Sequence, residues 1–84
     1  MNISAYDGNQ WRVDRVKKAV RIACAILGMS EQQMAQIVDG IEDHKGELFI
    51  SWKFPQTRWQ ELAFASAWRE CGEYAVHHQP VGER

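Results

Sequence analysis

The chain lacks any apolar run approaching the roughly 20 residues of a membrane span. Its longest, Ile22 to Leu27, follows Arg21 directly. No basic-then-apolar secretory pattern opens the sequence, which predicts a cytoplasmic location and no membrane partner. Cysteine is scarce: Cys24 and Cys71 are the only two and belong to no C-x-x-C pair. Both fall in predicted helices, so two reduced, buried thiols are expected. His44, His77 and His78 have no i,i+4 partner for a metal, and the adjacent rings of His77 and His78 diverge in any regular element. Ser4, Ser30, Ser51 and Ser66 lack the G-x-S-x-G setting of an activated hydroxyl. The six glycines show neither G-x-G-x-x-G nor Walker A spacing. Carboxylate pairs such as Glu42-Asp43 and Glu70/Glu73 are common on surfaces and, without a pocket, do not suggest acid–base work. Together these absences predict no catalytic residue, no metal, no cofactor and no enzymatic activity.

Charge, in contrast, is abundant and sorted. Arg12, Arg15, Lys17, Lys18 and Arg21 are half of the ten basic residues and crowd one predicted helix. Glu31, Asp39, Glu42, Asp43 and Glu47 then follow against a single Lys45. The net charge of −1 therefore conceals a basic patch and an acidic patch, which bias the partners that can approach. Aromatics are plentiful too: four Trp, three Phe and two Tyr supply bulk to a chain of 84 residues. A single domain this small buries only about 60–65% of its unfolded surface and needs such bulk or a partner.

Local signals predict an α+β domain spanning 1–84, with 1–6 and 79–84 fraying. Helix 1 is expected over 11–27, capped by Asp7 or Asn9, with Val13, Val16, Val20, Ala23 and Leu27 on one face and Gly28 as its stop. Ser30 caps a second helix over 30–40 that ends at Asp39-Gly40. Residues 47–53 alternate, with Leu48, Ile50 and Trp52 set against Glu47, Phe49, Ser51 and Lys53, and predict a strand with one buried face. Its neighbour in a short antiparallel sheet is residues 2–6, a piece around 40–43, or a second copy of the chain. Thr57 and Gln60 form a capping box for a third helix over 57–72. That helix has two apolar stripes, Trp59, Leu62, Ala63 and Ser66 against Phe64, Ala67, Trp68 and Cys71, so it is either central or part of an interface.

The stretch 27–41 resembles the first half of a helix-turn-helix motif, with a Ser30 cap, the Met34-Ala35 pair and a glycine turn. It departs from that pattern downstream. Gly40 arrives one residue late, and the recognition helix would contain Glu42, Asp43, Gly46 and Glu47. Gly46 weakens a helix by about 1 kcal/mol, and three carboxylates would oppose phosphate attraction. The leading expectation is a small non-enzymatic accessory protein that binds stoichiometrically to a protein or nucleoprotein complex. Trp59, Phe64 and Trp68 would supply an apolar docking surface, Asp39, Glu42, Asp43 and Glu47 an acidic one, and Arg15, Lys18 and Arg21 a basic one. In style it resembles the small inhibitors that phages and mobile elements use against host machinery, anti-CRISPR proteins among them, although no motif carries that likeness. The alternatives are a DNA-binding transcriptional regulator using the basic face of helix 1, or a homodimer formed through helix 3.

Overall fold

The structure, a computed structural model, describes residues 1–80. Seven elements follow one another: β1 (Asn2–Ala5), α1 (Gln10–Leu27), α2 (Glu31–Ile37), β2 (Val38–His44), β3 (Glu47–Trp52), α3 (Arg58–Glu70) and β4 (Val76–Gln79). They make two β–α–β units joined by a hairpin, an α+β fold with three helices and a four-stranded mixed sheet ordered β1-β2-β3-β4. β1 runs parallel to β2, β2 antiparallel to β3, and β3 parallel to β4. The connections follow from this pairing. Parallel neighbours need a long crossover, which α1 with α2 supplies in one unit and α3 in the other, while antiparallel neighbours need only a tight turn. That turn is Lys45-Gly46, both at positive φ, 54° and 93°, as the right-handed twist of a two-residue hairpin demands.

Helix boundaries follow the local chemistry. The Asn9 side chain accepts from the Trp11 amide and starts α1; Gly28, left-handed at φ 67°, ends it. Ser30 with Gln33 and Thr57 with Gln60 close reciprocal capping boxes on α2 and α3. The second helix is shorter than the sequence predicts. It stops at Ile37, and residues 38–40 enter β2, because Val38 and Ile41 are fully buried within the sheet, a tertiary gain that outweighs the helical pattern.

The sheet is likewise larger than expected. β2 over its whole length is the antiparallel neighbour of β3, whereas residues 2–5 pair with β2 instead. The N-terminus is therefore not frayed: it is an ordered edge strand, and the Tyr6 amide continues the pairing by donating to the Asp43 carbonyl at 2.9 Å. Gln79 closes β4, which runs parallel beside β3, and 81–84 lie outside the described residues.

One face of the sheet is covered by helices. Val16, Ala19, Val20 and Ala23 of α1 meet Ile41, Leu48, Ile50 and Trp52 of the sheet and Ala63, Phe64, Ala67 and Trp68 of α3 in a single core. Trp68 is sealed among these side chains, and its indole N–H donates to the Gly46 carbonyl at 2.9 Å, satisfying the one polar atom its burial would otherwise strand. Phe64 meets Trp52 edge-on at 5.8 Å. Phe64 and Trp68 are therefore core residues and not docking residues, a correction to the sequence reading. The α3 stripes split: the stripe with Phe64 and Trp68 is consumed by the fold, and only Trp59 (73% exposed) and Leu62 (46%) remain as surplus. Cys24 and Cys71 are free, buried thiols. Burial raises both of their pKa values, with Glu31 adding to the effect at Cys24, so neither is poised as a nucleophile. Among the described residues, no helix is long and apolar enough to cross a membrane.

Candidate binding face

Among the described residues, nothing covers the sheet face away from the helices, and the alternation of the strands decides what it displays. Register aligns Ser4, Glu42, Phe49 and His77 in one row across all four strands, and Asn2, Gly40, Ser51 and Gln79 in the next. Between these rows lies an open groove of about 450 Å³, lined by residues that include Asn2, Ser4, Asp39, Glu42, His44 and Phe49. Two carboxylates line it, and no lysine or arginine among the described residues does. Gly40 keeps the floor low. A side chain there would also press on β1, since its Cβ would stand 3.3 Å from the Asn2 carbonyl oxygen.

A band of rings borders the groove. Tyr6 and His44 lie 5.0 Å apart, His44 meets Phe49 edge-on at 5.0 Å, and Phe49 stacks on His77 at 4.5 Å with 18° between planes. Each imidazole is held by a carboxylate on a neighbouring position: His44 by Glu42, and His77 by Glu47 at 2.9 Å. Glu42 also receives the Ser4 hydroxyl, and Ser51 donates to Gln79 at 2.9 Å. These contacts fix the side chains without filling the groove. Behind the face, His78 points the other way and accepts from the Trp52 indole at 3.1 Å through Nδ1, which places the proton of the neutral ring on Nε2. Burial lowers its pKa from the ordinary 6.5, while Glu61 opposes and His77 adds to the shift.

The residues singled out in the sequence do not converge on one surface. Asp39, Glu42 and Glu47 share the open face. Asp43, between Glu42 and His44, necessarily points to the other side, where it is 1% exposed. There its Oδ1 accepts the Gly46 amide at 2.7 Å and its Oδ2 faces Arg12 at 3.6 Å. Asp43 is thus a structural carboxylate and not part of an acidic docking patch. Arg15 is also engaged within the fold: Arg12 and Arg15 both bind Glu73, at 3.0 and 3.2 Å, and both guanidinium groups lie over the Trp11 ring, at 4.8 and 4.5 Å. Lys17, Lys18 and Arg21 stay exposed on α1. Because helices and sheet form two layers, that basic remnant lies on the opposite side of the domain from the carboxylates of the open face.

Phe49, His44, His77 and Tyr6 are not among the binding residues expected from the sequence. One signal was available: Phe49 stands on the polar side of the β3 alternation, where a large ring has no core to enter. The position of His77 beside it had no local signal, because parallel pairing of β3 with β4 is set across α3. The chain matches no protein-family model, no curated protein and no solved structure.

Proposed function

We propose that this is a small, non-enzymatic, cytoplasmic accessory protein that binds stoichiometrically to a larger protein or nucleoprotein complex through its open sheet face. The observation that supports this reading is a groove of about 450 Å³ whose lining combines Asp39, Glu42, Phe49 and His44 on a sheet face left open among the described residues. Rigid strands hold these groups, so little ordering cost accompanies binding. Rings and carboxylates together offer both apolar contact and charge selectivity to a basic surface. An inhibitor of host machinery of the phage or mobile-element kind, anti-CRISPR proteins included, would act in this way by blocking a site sterically or electrostatically.

The test is capture of partners from host lysate, with and without nuclease, by the native chain and by Ser51→Arg, which places a long cation in the groove. The expected result is a nuclease-resistant protein partner captured by the native chain and lost with Ser51→Arg. Equal capture by both would remove the open face from the interaction. A second reading, DNA binding by Lys17, Lys18 and Arg21, is favoured by their shared exposure on α1. It predicts a complex at low salt that weakens steeply as salt rises. A gel shift showing none would remove it.

A further inference from the structure

We infer that the occupant of the open face is an arginine side chain carried by an extended segment of the partner protein, received between Asp39, Glu42 and Phe49. This deepens the reading above and rests on it. A site of the same chemistry stands elsewhere in the molecule. At the start of α1, Trp11 supplies a ring, Glu73 a carboxylate, and Arg12 and Arg15 the guanidinium groups that lie over the one and bind the other. The open face has the first two parts without the third. Phe49 and His44 line the groove as rings, Asp39 and Glu42 line it as carboxylates, and no lysine or arginine among the described residues lines it.

Charge complementarity selects a cation. Asp39 makes no ion pair among the described residues, and Glu42 is paired only with the titratable His44. Planarity selects guanidinium over ammonium: arginine can stack on a ring while its fork of donors meets a carboxylate, which a lysine point charge cannot do. The polar groups of the second row, Asn2, Ser51 and Gln79, also line the groove and can meet the backbone of an extended segment. A nucleic acid is disfavoured at this face by the same two carboxylates.

Titration of the full chain with a Gly-Arg repeat peptide tests the inference, alongside the Gly-Lys counterpart and a single-stranded oligonucleotide. The arginine peptide is expected to bind at least tenfold more tightly than the lysine peptide and to shift the amide resonances of Ser4, Gly40, Ser51 and Gln79. Asp39→Asn with Glu42→Gln should weaken it at least tenfold, and Phe49→Leu about threefold, whereas Lys17→Gln with Lys18→Gln should leave it unchanged. Equal binding of the two peptides, undiminished binding to the carboxylate variant, or preference for the oligonucleotide would each overturn the inference. Concentration-dependent self-association abolished by Lys18→Gln with Arg21→Gln would overturn it as well, by making a second copy the occupant. Failure here stays separate from failure of the broader reading: if Ser51→Arg abolishes partner capture while the arginine peptide does not bind, only the inference falls.

Discussion

Two regions of this domain are built from the same chemical parts and end in opposite states. Around the start of α1, Trp11, Arg12, Arg15, Asp43 and Glu73 form a charge-balanced cluster of two cations and two anions with a ring beneath the cations. The hairpin turn is held against it, since the Asp43 carboxylate accepts the Gly46 amide and a Cβ at Gly46 would stand only 2.5 Å from Glu73 Oε2. On the open sheet face, Phe49, His44 and His77 stand with Asp39, Glu42 and Glu47, and no lysine or arginine among the described residues lines the groove. A carboxylate beside a ring serves folding in the first region, whereas in the second it is left in water, where we propose that it serves recognition. What separates them is burial: a charge sealed from water must be paired within the chain, whereas a solvated one can wait for a partner.

The largest expected effects break the closed region. Trp68→Ala removes the largest core side chain and orphans the Gly46 carbonyl, so it should destabilise by about 4 kcal/mol, read as a lower urea midpoint. A loss below about 1 kcal/mol would mean the turn and α3 are not packed as described. Arg12→Ala should cost about 3 kcal/mol by leaving the Asp43 carboxylate buried without its cation. Asp43→Asn added to it should recover more than half of that loss, because Asn keeps an acceptor for the Gly46 amide. Strict additivity of the two substitutions would deny the pairing.

On the open face the same kind of substitution should be mild. Phe49→Ala loses ring contacts with His44 and His77 and is expected to cost about 1 kcal/mol of stability while removing partner binding. A cost rivalling that of Trp68→Ala would make Phe49 a core residue and dissolve the contrast. Beneath that face, His78 supplies a pH test. Its folded pKa lies below its unfolded value, so on acidification the unfolded chain takes up the proton more readily and stability falls as pH drops through about 6.5. His78→Gln keeps an acceptor for the Trp52 indole and should flatten the change in urea midpoint between pH 7.5 and 5.5. Parallel slopes for the two proteins would exclude His78 as the cause. Smallest of all, Trp59→Ala should alter stability by no more than about 0.5 kcal/mol, since its ring is mostly in water. A larger loss in thermal unfolding would return it to the core.

How much of this could be read from the residues varies with the distance over which each feature is decided. The helix starts at Ser30 and Thr57 and the stop at Gly28 were legible, and the start of α1 was narrowed to Asp7 or Asn9, because a cap needs only the side chain and the amides two or three positions away. The strand at 47–52 was legible from its alternation, and the acidic surface was in part legible, through Asp39, Glu42 and Glu47. The burial of Asp43 was not legible, because its place in a period-two pattern has no phase until a core lies on one side of the strand. The burial of Phe64 and Trp68 was not legible, because it depends on β2, β3 and α1 arriving around them from distant parts of the chain.

By itself, then, the sequence determined the starts of α2 and α3, the stop of α1, the central strand and the sorting of charge, all properties written in residues a few positions apart. Only the tertiary structure decided that residues 38–44 are strand, that β1 and β4 flank the hairpin in parallel, that Arg15 serves the fold, and that Tyr6, His44, Phe49 and His77 meet in one band. The physical reason is that parallel pairing and face burial are free energies of contact between distant segments, and no local pattern specifies which distant segment will arrive.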